Sequence, residues 1–240
     1  MKTLLIPVLD LCGGVVVHAI AGRRSEYRPL KSLLTDSTDP FEVLQQLRVT
    51  TGLDTFYVAD LDGIIDGRPD WKVLQRLTDT GVRLLIDAGA RRVGDIDAVR
   101  LGRNVRPVVG TESFEELDRL LSGTSADVVC SLDLHAGRLR MAEQSSEAGE
   151  VTVENLAERL WTAGLRSWIV LDTAAVGTGQ GIPTLSLCRT LTCRFPGVEL
   201  ISGGGVRSQA CLLEAGEAGV TGVLVASALH TGALGSVLRA

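Results

Sequence analysis

The chain has 240 residues, a formal net charge of −5 and a hydrophobic content of 45%. The acidic balance argues against a nucleic-acid-binding protein, which needs a basic surface, and the hydrophobic content argues against a disordered chain. No apolar run reaches the roughly 18 residues of a membrane span, and the first residues lack a secretory pattern. The five cysteines form no C-x-x-C pair, so we expect a reduced, cytoplasmic protein without a disulfide scaffold.

Short apolar segments alternate with longer segments of helical spacing along the whole chain. Strands that are apolar throughout and separated by helices predict a parallel sheet covered by helices. Eight such units predict one (β/α)8 TIM barrel of the α/β class over residues 1–240, since this fold needs about 250 residues. The predicted strands are Leu4–Leu9, Thr55–Ala59, Arg83–Ile86, Arg106–Val109, Asp127–Leu132, Trp168–Leu171, Val198–Ile201 and Gly222–Val225. The predicted helices are Pro40–Thr51, Trp71–Thr80, Ile96–Leu101, Phe114–Leu121, Val153–Ala163, Thr184–Arg194, Gln209–Ala218 and Leu229–Leu238.

A doubly wound open sheet is the alternative arrangement of the same elements. The segment Gly177-Thr178-Gly179-Gln180-Gly181 has the glycine-rich character of a dinucleotide-binding loop. However, it reads G-x-G-x-G, follows the sixth predicted strand, and is followed closely by Pro183. These features favour a flexible loop and therefore the barrel.

The two halves of the chain resemble each other. The matched pairs are residues 6–11 with 129–134, 58–60 with 170–172, 87–91 with 203–207, and 109–111 with 225–227. Each match alone is weak, but together they occur in the same order and at nearly one offset. They predict a duplicated half-barrel, with halves of approximately 1–122 and 123–240.

Two aspartates related by this repeat, Asp10 and Asp133, end the first and fifth predicted strands. Because barrel active sites lie at the carboxyl ends of the strands, both side chains can act on one bound molecule. Such a pair suits proton transfer, in which one group takes a proton while the other donates one. An acid that works near pH 7 needs a pKa well above the ordinary value of about 3.9, and burial raises it. A lone aspartate at a strand end often only caps a loop, whereas a repeated pair favours catalysis.

Glycine-rich loops follow the third and seventh predicted strands, and small residues follow the fourth and eighth. Glycine lets the backbone approach a ligand closely, and amides at the start of a helix attract an anion. Loops after the seventh and eighth barrel strands often bind phosphate, and the repeat predicts a second such site. We therefore expect a substrate with a phosphate at each end, although tight turns also explain the glycines. The candidate phosphate-binding residues are Gly89, Ala90, Gly110 and Thr111 on one side and Gly204, Gly205, Ala226 and Ser227 on the other.

These motifs resemble the histidine-biosynthesis isomerase family. The residues that carry the resemblance are Ile6-Pro7, Asp10-Leu11, Ser131-Leu132-Asp133, Val108-Val109-Gly110-Thr111 and Gly203-Gly204-Gly205. It extends from Leu5 to about Leu238. Members of the family isomerise phosphoribosylformimino-aminoimidazole carboxamide ribotide, and their fold is a (β/α)8 barrel with two phosphate sites. The sister family is the imidazole glycerol phosphate synthase cyclase, a less favoured reading because the cyclase needs ammonia from a glutaminase partner.

The resemblance implies an Amadori-type aldose–ketose isomerisation of a small bisphosphorylated substrate. Asp10 then looks like the general base and Asp133 like the general acid, and no metal or other cofactor is needed. By position, His135, Asp172 and Thr178 resemble substrate-binding residues of the family. We expect a monomer or small homo-oligomer with no nucleic-acid or membrane partner.

Several positions depart from the family's pattern. Asp87-Ala88-Gly89 stands where the family has three glycines, and a carboxylate at Asp87 is unfavourable beside a phosphate unless it points away. Ala226-Ser227 replaces a glycine and a basic residue. This pattern also fits a divergent paralogue that acts on another phosphorylated metabolite, and relatives of unassigned role, including proteins associated with one-carbon pterin-cofactor metabolism, resemble this chain. A third alternative is a non-catalytic barrel that binds a phosphorylated metabolite.

Two features near the predicted mouth have open roles. The basic loop 22–31 either closes over an anionic substrate as a lid or is an ordinary solvated loop. His135 either transfers a proton beside Asp133 or only makes a hydrogen bond, since histidine titrates near neutrality.

Overall fold

A computed structural model describes residues 3–123, 127–142 and 151–234. Strands and α-helices alternate along these residues. The strands are β1 (Leu4–Cys12), β2 (Val15–His18), β3 (Arg28–Pro29), β4 (Thr55–Asp60), β5 (Arg83–Asp87), β6 (Val105–Gly110), β7 (Val129–His135), β8 (Arg138–Leu139), β9 (Ser167–Asp172), β10 (Glu199–Gly203) and β11 (Gly222–Val225). The helices are α1 (Pro40–Thr51), α2 (Leu61–Asp66), α3 (Trp71–Thr78), α4 (Val93–Val99), α5 (Leu117–Ser122), α6 (Val153–Thr162), α7 (Leu185–Arg194), α8 (Gln209–Glu217) and α9 (Ser227–His230).

Eight parallel strands close into a barrel in the order β1, β4, β5, β6, β7, β9, β10 and β11. The closing contact pairs β11 with β1, with Leu4 opposite Gly222 and Ile6 opposite Leu224. Each predicted strand overlaps one of these eight. The predicted (β/α)8 barrel is confirmed, and the open sheet is excluded because its two edges would not pair.

The two faces of the barrel strands build two separate apolar clusters. Successive side chains of a strand point to opposite faces, so every second residue points into the barrel. Every barrel strand contributes at least one residue to the inner cluster, which includes Ile6, Tyr57, Leu85, Val108, Val129, Ile169, Ile201 and Leu224. The alternate residues, such as Leu84 and Ile86, pack outward against helix residues such as Leu44 and Leu74.

The helices cover the barrel with one apolar face each. In α3, Leu74 and Leu77 are buried while Lys72 and Gln75 are exposed, as the helical period requires. Along residues 3–123, 127–142 and 151–234, no helix is both long enough and apolar enough to cross a bilayer.

The element boundaries differ from prediction mainly around the barrel mouth. The helix predicted from Phe114 begins only at Leu117, because Phe114 first closes a turn with its amide on the Gly110 carbonyl. Of the helix predicted over Leu229–Leu238, only Leu229 and His230 are helical, as part of α9, because residues 231–234 form turns; residues 235–238 lie outside the described residues. Helix α2 and the short antiparallel strands β2, β3 and β8 were not predicted, since each is too short to show a period.

Candidate functional site

An open cavity of about 270 Å³ lies at the carboxyl ends of the barrel strands. Its walls include side chains from both halves of the chain, among them Asp10, Tyr57, Asp87, Asp133 and His135. This end of a barrel is where enzymes of this fold carry their active sites. The volume lies at the lower edge of the ~300–1,000 Å³ that small-molecule sites usually occupy.

Three aspartates reach this cavity because of the strand period. Asp10, Asp87 and Asp133 each stand an even number of residues after a residue of the inner apolar cluster. The inner residues concerned are Ile6 in β1, Leu85 in β5 and Val129 in β7. The same alternation that buries those apolar side chains therefore turns all three carboxyl groups inward at the mouth.

Asp10 has no hydrogen-bond or ion-pair partner among the residues that the structure describes. Burial alone raises the pKa of its carboxyl group to about 7. A carboxylate with this pKa is a strong enough base to take a proton from carbon acids near neutral pH, and it still ionises there. Asp10 is therefore suited to proton abstraction.

Asp87 and Asp133 form a carboxyl pair around Gly110. A side chain at Gly110 would begin 2.7 Å from Asp133 Oδ2 and 3.4 Å from Asp87 Oδ2, so only glycine leaves room for both. Burial, followed by the Asp133 carboxylate, raises the pKa of Asp87 to about 7. Burial raises the pKa of Asp133 to about 6, although hydrogen bonds from the Ser131 hydroxyl at 2.6 Å and the Glu112 amide at 3.3 Å lower it. Ionising both members costs repulsion, so the pair retains a proton near neutral pH.

Tyr57 lies among these carboxylates on the cavity floor. Burial raises the pKa of its phenol well above the usual value, and the carboxylates of Asp87, Asp133 and Asp10 raise it further. The phenol stays protonated and can donate a hydrogen bond to a carboxylate or to a bound substrate.

The rim formed by the second half of the chain presents unpaired amides to the cavity. Its predicted phosphate-binding residues, Gly204, Gly205, Ala226 and Ser227, all line the cavity. In the described part of the chain, the amides of these four residues have no hydrogen-bond acceptor. The Ser227 hydroxyl lies 3.0 Å from His18 Nε2. Free amides beside an open cavity can hold an anion, so this rim, which we call the second rim, is a candidate phosphate site.

The corresponding rim of the first half, called the first rim below, is arranged differently. Its predicted residues Gly89, Ala90, Gly110 and Thr111 lie behind the cavity wall rather than on its surface. The Gly89 amide donates to Asp87 Oδ1 at 3.0 Å, and the Thr111 amide donates to the Ser131 carbonyl at 2.9 Å. The Thr111 hydroxyl accepts a hydrogen bond from the Asp133 amide at 3.0 Å. The Gly89 and Thr111 groups therefore serve the protein's own structure, whereas the Ala90 amide, which is buried, has no acceptor in the described structure. The predicted phosphate role of this rim stays a prediction.

The predicted substrate-binding residues are divided between the cavity and the scaffold. His135 lines the cavity, and its Nδ1 lies 3.1 Å from the Thr173 hydroxyl. Asp172 accepts hydrogen bonds from amides of the β7–β8 turn, which it braces against β9. The Thr178 hydroxyl donates to the Ala175 carbonyl at 2.7 Å. In these positions Asp172 and Thr178 support loops beside the cavity, whereas His135 faces it.

The cavity wall also contains charged and phenolic side chains that sequence reasoning did not single out as site residues, namely Tyr57, Asp87, Glu112 and Arg140. Asp87 could have been found from the sequence, because it lies two residues after Leu85 in the same strand and its side chain therefore also points inward. Glu112 and Arg140 could not, since the distance of 3.6 Å between Arg140 Nε and Glu112 Oε2 depends on how two distant loops meet.

The basic loop 22–31 contributes Gly22 and Tyr27 to the cavity wall, and its role as a lid stays a prediction. As for metals, the described side chains include no group of three or more His, Cys, Asp or Glu placed to hold an ion.

Comparisons with known proteins extend over nearly the whole chain. A family model described as histidine biosynthesis protein matches residues 4–235. An uncharacterised protein of Methanocaldococcus jannaschii is 28% identical over 96% of this chain and 94% of its own length. Phosphoribosyl imidazole-4-carboxamide isomerases of Methanosarcina barkeri and Rubrobacter xylanophilus are 28% and 30% identical, over 95% of this chain and 93% and 91% of their own lengths.

Proposed function

The chain belongs to the histidine biosynthesis protein family and is an isomerase by kind, and from this premise we propose that it interconverts an aldose and a ketose form of a phosphorylated aminosugar. Asp10 is the general base and Asp133 the general acid. The observation that carries the proposal is the convergence of these two partly buried carboxyl groups, from opposite sides of the barrel, on one cavity.

The proposed reaction needs one proton donor and one proton acceptor. Asp133 in its acid form protonates the ring oxygen of the aminoaldose as the bond from C1 to that oxygen breaks, and the nitrogen lone pair forms an iminium. The Asp10 carboxylate then takes the proton from C2, and the electrons of that bond neutralise the iminium to give an enaminol. Protonated Asp10 then gives its proton to C1 while the Asp133 carboxylate takes the enol proton, which gives the aminoketose, an isomer of the substrate, and restores both groups to their starting forms.

The environments of the two groups support this division of roles. Burial raises the pKa of Asp133 to about 6, so a fraction of this group is in the acid form near neutral pH, and Asp87 beside it, with a pKa of about 7, holds a proton to a larger extent. Asp10 has no such partner in the described structure, and an ionised Asp10 is present at the same pH because burial raises its pKa only to about 7.

The substrate of the named relatives, an imidazole carboxamide with two phosphoribosyl groups, is the first compound to test. A second candidate is a different phosphorylated metabolite, as expected of a divergent paralogue. The carboxylates of Asp87 and Glu112 at the first rim favour this second candidate, because they would repel a phosphate placed there.

Two experiments separate the candidates: an assay of the purified full chain on that carboxamide, and a test of whether the chain restores growth to a strain that lacks the histidine-pathway isomerase. If the first candidate is right, the protein turns the carboxamide over and restores growth. Asp10→Asn then loses both activities, whereas the control Asp97→Asn, whose carboxylate is on the exterior, retains them. Turnover of only another aminoaldose phosphate, still dependent on Asp10, supports the second. An Asp10→Asn protein that isomerises any such substrate at the full rate contradicts the proposed function.

A further inference from the structure

We propose that the substrate carries a single phosphate, held at the second rim, and presents hydroxyl or amino groups to the first rim. This inference rests on the proposed function, selects its second candidate over the carboxamide with two phosphoribosyl groups, and narrows the substrate class to monophosphates of aminosugars. It is carried by the different use of backbone amides at the two rims.

At the first rim, a carboxylate of the chain already occupies the position of an anion. Asp87 Oδ1 accepts the Gly89 amide, and Asp133 Oδ2 accepts the Glu112 amide. The Thr111 amide is held by a strand carbonyl. A phosphate at this rim would have to displace these acceptors, and it would leave a buried carboxylate without its donor.

The charges at the first rim lead to the same conclusion. Asp87, Asp133 and Glu112 all line this side of the cavity. Arg140 is the cation nearest to them among the described residues of the wall, and its Nε lies 3.6 Å from Glu112 Oε2. A second phosphate would bring two further negative charges beside Glu112 and the Asp87–Asp133 pair, which already retains a proton because of repulsion, whereas hydroxyl or ammonium groups would donate hydrogen bonds there.

The second rim has the opposite character. The amides of Gly204, Gly205 and Ser227 have no acceptor in the described structure. A small recess directly behind Ser227 is lined by His18 and Lys31, and the His18 ring contacts the Ser227 hydroxyl. The amides and the Ser227 hydroxyl at the cavity surface are hydrogen-bond donors that suit one phosphate.

Amide NMR spectra of the deuterated full chain, titrated with inorganic phosphate, test the single site directly. We expect the amides of Gly204, Gly205 and Ser227 to shift along one saturable curve, while those of Gly89 and Thr111 stay in place. Shifts at both rims, at the first rim alone, or at neither rim up to saturating phosphate would each overturn the proposal.

Calorimetry with two sugars of the same carbon skeleton tests the preference. Ribulose 5-phosphate should bind at least about tenfold more tightly than ribulose 1,5-bisphosphate, because the second phosphate meets the acidic rim. In Glu112→Gln the ratio of the two affinities should fall several-fold, and in the control Asp97→Asn the ratio should not change. Equal or tighter binding of the bisphosphate by the unmodified protein overturns the proposal.

These outcomes are independent of the catalytic test. A single phosphate site together with full activity in Asp10→Asn would leave the substrate inference standing and reject the proposed function. Two phosphate sites together with an inactive Asp10→Asn would do the reverse.

Discussion

The two rims of the barrel mouth use equivalent loops in different ways. At the second rim, Gly204 and Ser227 leave their amides free at the cavity surface. At the first rim, Gly89 gives its amide to the carboxylate of Asp87, and the loop lies behind the wall. The strand-end residue Asp87 therefore provides the first-rim loop with an acceptor from the chain itself, and Gly203 at the corresponding strand end has no side chain to do so.

The glycines at the two rims also differ in what requires them. A side chain at Gly89 would begin 2.3 Å from the Gly63 carbonyl carbon, so this glycine is needed for the packing of β5 against α2. The nearest atom to a side chain at Gly204 would be the Asp172 carbonyl oxygen at 3.3 Å. A glycine-rich loop is thus a weak sign of phosphate binding until its packing is known.

The largest expected effect comes from removing one carboxyl group from each half. Asp10→Asn and Asp133→Asn should each lower kcat by about 10²–10⁴-fold with little change in KM, since each loses one proton transfer. Steady-state kinetics on the aminoaldose phosphate that the protein turns over measure this, with Asp97→Asn as the control. If only one of these two variants loses activity and the other keeps its full kcat, the two halves do not cooperate in catalysis as proposed.

The next effect is on stability and depends on pH. The folded pKa of Asp10 is about 7, above the value of about 3.9 of an unfolded chain, so between these values the folded state binds more protons. Stability therefore falls as pH rises through this window. Asp10→Asn should raise the free energy of unfolding by about 2–4 kcal/mol at pH 8 and leave it nearly unchanged at pH 4. Urea unfolding at both pH values checks this, and a gain at pH 4 as large as at pH 8 would refute the burial argument.

A third prediction compares one glycine from each rim. Both Gly89 and Gly204 have positive φ angles, of 69° and 79°, but only Gly89 would collide with backbone. Gly89→Ala should cost about 3 kcal/mol or more and Gly204→Ala about 1 kcal/mol, while only the latter weakens phosphate binding. Thermal unfolding and phosphate titration of both variants measure these effects. Equal losses of phosphate affinity would mean that the rims are functionally alike.

The smallest effect compares two serines of the cavity wall. Ser227→Ala should lower phosphate affinity by about three- to tenfold, because one hydroxyl donor is lost. Ser113→Ala, on the first rim, removes a hydroxyl bonded to the Gly110 carbonyl at 3.4 Å and should leave phosphate affinity unchanged. Phosphorus NMR titration distinguishes them, and a larger loss in Ser113→Ala would reverse the assignment of the rims.

Much of this architecture could be predicted because its signals are local. The eight apolar segments predicted the strands, and the resemblance to the histidine-biosynthesis isomerase family is confirmed by the family match over residues 4–235. Asp10 and Asp133 were recognisable because they repeat at strand ends, and both line the cavity. The catalytic roles of these two residues, like the half-barrel duplication, stay predictions.

The sequence by itself determined which residues face into the barrel, since a strand alternates its side chains whatever surrounds it. Only the tertiary structure decided what those residues do at the mouth. Whether an amide is free or already bonded, and whether two carboxylates meet, depends on contacts between residues far apart in the chain, such as Asp87 and Asp133 around Gly110. Such contacts follow from the closing of the barrel, and no local pattern records them.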